Sequence, residues 1–203
     1  MLTLILIFLS VLLPFCFALD PQPQTLTLSN APLRVLNIGN DTNPVPFYQT
    51  SNPTDFPNFG LLSAWPAPRH APDWFRPIPP GATIQILSSV ILQTFAPLPP
   101  SQPVGKSYLS WGPEYRPNMN HLDTRITVRQ YRANEWGPGA SGERILTNGD
   151  VAVAAHILGD LYRRGEVPTE GAWRMCYVTD RQALDRCSGV IMVQRDVWLR
   201  GSE

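Results

Sequence analysis

The sequence predicts an α+β fold: a ferredoxin-like, split βαβ sheet with two helices on one face and a proline-rich extended N-terminal coat. Three observations lead there. Period-2 and period-3.6 hydrophobic patterns follow one another in the order β-α-β-β-α-β-β. The chain has two textures: 19 of its 22 prolines lie from Pro21 to Pro117, whereas 22 of its 32 charged residues follow Pro117. Finally, 203 residues with 43% hydrophobic and 16% charged content are enough for a single buried core and too apolar for wholesale disorder.

Residues 1–18 read as a secretory signal peptide. The run 2–17 (LTLILIFLSVLLPFCF) carries no charge and is too short to span a membrane, and Cys16 and Ala18 supply small residues before a cleavage at Leu19. An uncleaved signal anchor is the alternative. After cleavage the chain should be free of the membrane. Residues 19–32, which open on DPQPQ, form an extended linker, and 33–203 form one domain.

Within that domain, 33–38 (LRVLNI) alternates as a strand. Residues 43–80 are punctuated by proline yet carry Phe47, Tyr48, Phe56, Phe59, Trp65, Trp74 and Phe75, too many aromatics for a linker. They are expected to wrap the core as extended backbone. Residues 82–95 are rich in β-branched side chains, but Ile84, Leu87, Ile91 and Phe95 line one face and the length suits a helix. Residues 107–111 and 124–132 (TRITVRQYR) read as strands. The best helix runs over 148–164, capped by Thr147 with Asp150 three residues on, and closed by Arg163, Arg164 and Gly165. Val151, Ala154, Leu158 and Leu161 should form its buried stripe. Strands at 173–178 and 189–195 complete the order.

Cys16 leaves with the signal, so Cys176 and Cys187 remain as an even pair in an oxidising compartment. They are expected to form a structural disulfide joining the last two strands. Asn40-Asp41-Thr42 is a glycosylation acceptor in a turn-rich context, while Asn52-Pro53-Thr54 is blocked by its proline.

The leucine-to-leucine stretch LTNGDVAVAAHILGDL at 146–161, Gly171-Ala172-Trp173 and the closing Val197-Trp198-Leu199 resemble small secreted fungal proteins of unknown function. The resemblance covers about the last 60 residues and the general layout of signal peptide and proline-rich lead. It implies secretion and an α+β fold, and it brings no catalytic residue with it.

Chemistry is sparse. Sixteen basic residues balance sixteen acidic ones, which removes the footprint of a nucleic-acid binder. His156 and Asp160 are four apart on a helix, so they share a face; the functional reading is a metal-ligand pair or dyad, and the preferred one is a solvated contact. His121 and Asp123 share a face of an extended segment, but a third ligand from Glu114 or His70 depends on the fold. His70 and Asp73 have no further support. No Gly-x-Ser-x-Gly elbow occurs, and the glycines at 137–142 lack the lysine of a phosphate loop. No catalytic residue and no cofactor is therefore assigned. Loop tryptophans Trp65, Trp74, Trp111 and Trp136 could stack on sugars or fill a partner's pocket, or else close the helix-free face of the sheet. The expectation is a secreted, non-enzymatic binding protein, effector-like or at the cell surface, whose partner is a protein or a cell-wall glycan. A secreted hydrolase or metal enzyme is the more distant alternative.

Overall fold

A computed structural model describes residues 26, 28, 32–38, 45–50, 56–65, 80–112, 123–136, 142–167, 170–179 and 184–196. Its strands are β1 (Arg34–Ile38), β2 (Val45–Gln49), β3 (Phe59–Trp65), β4 (Tyr108–Trp111), β5 (Asp123–Gln130), β6 (Gly142–Glu143), β7 (Gly171–Val178) and β8 (Leu184–Asp196). Helix α1 is continuous through three segments, Pro80–Gln85, a π-helical Ile86–Leu92, and Gln93–Phe95. The short α2 (Ala133–Trp136) and the long α3 (Asn148–Arg164) follow.

One antiparallel sheet organises everything, in the order β1-β2-β3-β7-β8-β5-β4. The two-residue β6 runs parallel to β8 at Arg186 and Cys187, taking over its edge where β5 stops. The fold is α+β, as expected. The split βαβ layout is not reproduced, because there the first and third strands of the repeat lie side by side, whereas here the β7–β8 hairpin separates β3 from β5.

The difference begins in the proline-rich stretch expected to be coat. It supplies two sheet strands, β2 and β3, and β3 lies well inside the sheet. Pro46 is paired with Asn37 in the β1–β2 ladder but lies outside the β2–β3 ladder, which covers only Phe47 and Tyr48 against Leu62 and Leu61, so no pairing is asked of it on the β3 side.

Both faces of the sheet are buried. On one, Phe59, Leu61, Ile126, Val128, Trp173, Met175, Ile191 and Val193 pack under α1 and α3. On the other, Ile38, Phe47, Leu62, Tyr131, Ala172, Cys176, Val178, Cys187, Val190 and Met192 form a second cluster. Helix α1 presents Leu87, Ile91 and Phe95 to the first core, three members of the expected face. Ser88 and Thr94 turn their hydroxyls back onto the carbonyls of Ile84 (2.7 Å) and Val90 (2.5 Å).

Helix α3 matches its expected bounds. The capping box is complete, and Gly165 sits at φ 68° so that its N–H and that of Glu166 close on Tyr162 and Leu161. Burial is broader than one stripe, since Ala152, Val153, Ala155 and Gly159 are covered too. The helix packs against the sheet on one side and against α1 on another, and a strip at His156, Asp160, Arg163 and Arg164 reaches water. No helix among the described residues is long and apolar enough to cross a membrane.

Candidate functional site

The connection from β6 into α3 is held by backbone contacts on both sides. The Arg144 N–H donates to the Cys187 carbonyl (2.9 Å). Gln130, at the end of β5, donates from Nε2 to the Arg144 carbonyl (2.6 Å) and accepts the Leu146 N–H on Oε1 (3.0 Å). With its backbone fixed, Arg144 lays its guanidinium over the ring of Tyr177, 4.3 Å from the centroid. Tyr177 stands on β7 opposite Arg186 of β8.

The Tyr177 hydroxyl donates to Asp150 Oδ1, and the Thr147 N–H donates to Oδ2 (3.0 Å). Asp150 is wholly buried. Burial raises its carboxyl above the ordinary value, against the hydrogen bonds from Tyr177 and Thr147, which pull it down. Burial, then the Asp150 charge and hydrogen bond, push the Tyr177 hydroxyl well above its usual range, and Arg144 offsets part of that. A carboxylate with both oxygens engaged beneath a tyrosine holds that tyrosine in place and offers no face to a substrate.

The positive end of α3 is likewise occupied. The Asn148 and Gly149 N–H groups donate to the carbonyls of Gln102 and Pro100 (both 3.0 Å), and the Asp150 N–H donates to Thr147 Oγ1 (3.3 Å). Gly149 allows this close approach: a Cβ there would lie 1.9 Å from Cζ of Phe56. Phe56, Phe59 and Tyr177 continue as an edge-to-face series, with centroids 6.0 and 5.2 Å apart. The turn before β3 is latched by the Asn58 carbonyl, which accepts the Val178 N–H (2.9 Å) while Asn58 itself adopts φ 66°.

Over this scaffold two adjoining depressions of about 280 and 320 Å³ share Pro57, Arg144 and Tyr177. The first is completed by Asn58, Val178, Asp185 and Arg186, the second by Phe56, Pro100, Ser101 and Thr147. Together they make a groove with aromatic and proline walls and outward-facing guanidinium, amide and hydroxyl groups.

The disulfide forms as expected, joining β7 and β8. Its Cα atoms stand 4.0 Å apart, just closer than the roughly 4.4–6.8 Å usual for such a bond. A register shift between Met175 and Cys176 brings the two positions opposite each other, on the face opposite α1 and α3. Asp160 of the His156–Asp160 pair accepts from Arg164 Nη2 at 2.6 Å. Asp123 opens β5 opposite Asp196, while His121, its suggested companion, lies outside the described residues, as do His70, Asp73 and Glu114. Among the described residues no three His, Cys, Asp or Glu side chains gather as a metal site. Trp111 packs edge-on against Phe95 at 6.0 Å. Trp65 ends β3 opposite Ala172 and Trp136 ends α2, while Trp74, Asn40 and the segment 1–18 lie outside the described residues.

Sequence reasoning found Asp150 as a helix cap and missed Arg144 and Tyr177. Tyr177 carried one usable signal, its alternation with Trp173 and Met175 toward the helix-covered face.

No protein-family model matches this chain, and no curated protein or solved structure matches it either.

Proposed function

We propose that the chain is exported, cleaved after Ala18, glycosylated at Asn40, and acts outside the cell by binding a protein partner through the groove around Arg144 and Tyr177. The observation that carries this is the stack itself. An exposed guanidinium rests on a tyrosine ring whose hydroxyl is anchored to a fully buried carboxylate. Arginine and tyrosine dominate the energetics of protein interfaces, most of all when held in place before the partner arrives. The apolar stretch at the N-terminus, the disulfide and the resemblance to small secreted fungal proteins support export. They also support an effector-like or cell-surface setting.

The test is a comparison of the secreted protein with its Arg144→Ala variant in capture from cell-wall and host extracts, followed by titration of the captured protein. A partner that binds wild type and loses tenfold or more affinity for the variant supports the reading. Equal binding, or no partner, refutes it. A cell-wall glycan is the alternative ligand, and chitin or glucan oligomers that shift tryptophan fluorescence at millimolar concentration would favour it.

A further inference from the structure

We propose that the face of the sheet opposite α1 and α3 carries an oxyanion-binding site centred on Arg174. Along β7, Trp173 and Met175 turn toward the helices, so Arg174 points to the opposite side. Register places it between Leu62 of β3 and Val190 of β8, with Ala172 and Cys176 two positions away on its own strand. All four neighbours are buried apolar residues. In these surroundings Nε and Nη1 of Arg174 are shut off from solvent and donate to nothing.

A guanidinium cannot relieve that situation by losing its proton. It needs an acceptor that carries negative charge. The strands beside it offer more cation instead. Across Val190 the register reaches Arg129 of β5, on the same face. Two strand spacings separate the backbones, roughly 10 Å, so both charges act on the same face of the sheet. The Arg129 guanidinium rests over the Tyr108 ring of β4, with its Cζ 5.5 Å from the ring centroid. That ring is on the far side of β5 from Arg174, so Arg129 adds positive charge to this face rather than a second clamp on the same anion. Arg174 as a whole is only half-buried, so water reaches the side chain and a small anion can follow. The ligand class is a sulfate, phosphate or carboxylate group, recognised by charge-assisted hydrogen bonds from Arg174, with the Arg129 charge on the same face. The site is on the opposite face from the Arg144 groove and does not depend on it.

The experiment titrates the secreted protein with sulfate, phosphate and acetate at constant ionic strength set by chloride, following thermal midpoint and heat of binding. At least one of the three should bind saturably and raise the midpoint beyond the chloride control, and the order of the three identifies the preferred group. Arg174→Met, of similar length and apolar, should bind about tenfold or more weakly, and Arg129→Gln should weaken binding to a smaller degree. Without anion, Arg174→Met should melt no lower than wild type, since it replaces an unpartnered buried cation with a side chain that suits its neighbours. No anion effect beyond chloride, or an equal effect in Arg174→Met, overturns the proposal. A marked loss of stability in anion-free Arg174→Met also overturns it, because Arg174 would then already have its partner within the chain.

Discussion

Replacing Cys176 and Cys187 together separates two contributions that the structure lets one estimate. The bond closes a loop with a sequence separation of 11. Chain entropy assigns a loop of that length about 3 kcal/mol of stabilisation through the unfolded state. Both cysteines also sit at zero exposure within the cluster on the face opposite α1 and α3, beside Ala172, Val178 and Val190. The alanine pair leaves two small voids, adding about 1 kcal/mol, for a total near 4 kcal/mol. The serine pair instead buries two hydroxyls in apolar surroundings, at about 1–3 kcal/mol each where no acceptor is met. Serine should therefore be clearly worse than alanine. Urea unfolding of wild type and both double variants, in non-reducing buffer, checks the order and size. Two results would refute the reasoning: an alanine pair within 1 kcal/mol of wild type, or a serine pair no less stable than the alanine pair. The first would deny the crosslink its entropic role, and the second would deny the burial.

The remaining predictions concern the start of α3. Gly149→Ala drives a methyl into Phe56 and should cost about 1–3 kcal/mol, and Phe56→Leu should recover part of that loss in a double-mutant cycle. Asp150 has a folded pKa raised by burial, so its contribution to stability is full below the ordinary carboxyl value and is lost as pH rises through the raised one. Asp150→Asn removes this dependence; urea midpoints between pH 3 and 7 should show wild type falling relative to the variant as pH rises through that window. Tyr177→Phe leaves Asp150 Oδ1 without its donor and should destabilise by about 1–3 kcal/mol, measured by the same titration.

What the sequence disclosed, it disclosed through local rules. Thr147, Asp150 and Gly165 mark the ends of α3 because capping chemistry acts within four residues of a helix terminus. The pairing of β7 with β8 followed from two cysteines that a hairpin brings together. The hidden parts depend on contacts distant in sequence. Strands β2 and β3 looked like wrapping because proline argues against a strand. That argument fails because β1 pairs with β2 along its whole length, Pro46 included, while the ladder to β3 begins only at Phe47. The groove was hidden for a similar reason. Tyr177 and Asp150 are 27 residues apart, and Phe56 reaches Gly149 of α3 from the turn before β3. Local patterning shows which face each residue takes, but not which strand lies next to it.

The chain contains 15 arginines and a single lysine, Lys106, a bias that composition alone does not explain. Three of the arginines show what lysine could not do as well. Arg144 lies flat on Tyr177, Arg129 lies over Tyr108, and Arg174 is set among leucine, valine and alanine. Each position asks a cation to press against apolar or aromatic surface and shed water. A planar, delocalised and weakly hydrated guanidinium does this at lower cost than a compact ammonium, which holds its water tightly and loses its charge when buried. The N-terminus of α3, where a helix dipole would otherwise attract anions, is filled by the Asp150 carboxylate and by the carbonyls of Pro100 and Gln102. Under the oxyanion-site proposal, recognition of negative charge therefore falls to side chains. The sheet supplies flat aromatic and aliphatic rests on which guanidinium groups can be held in fixed orientations. A protein that binds through such placements keeps its cations as arginine, and it keeps a fixed sheet beneath them.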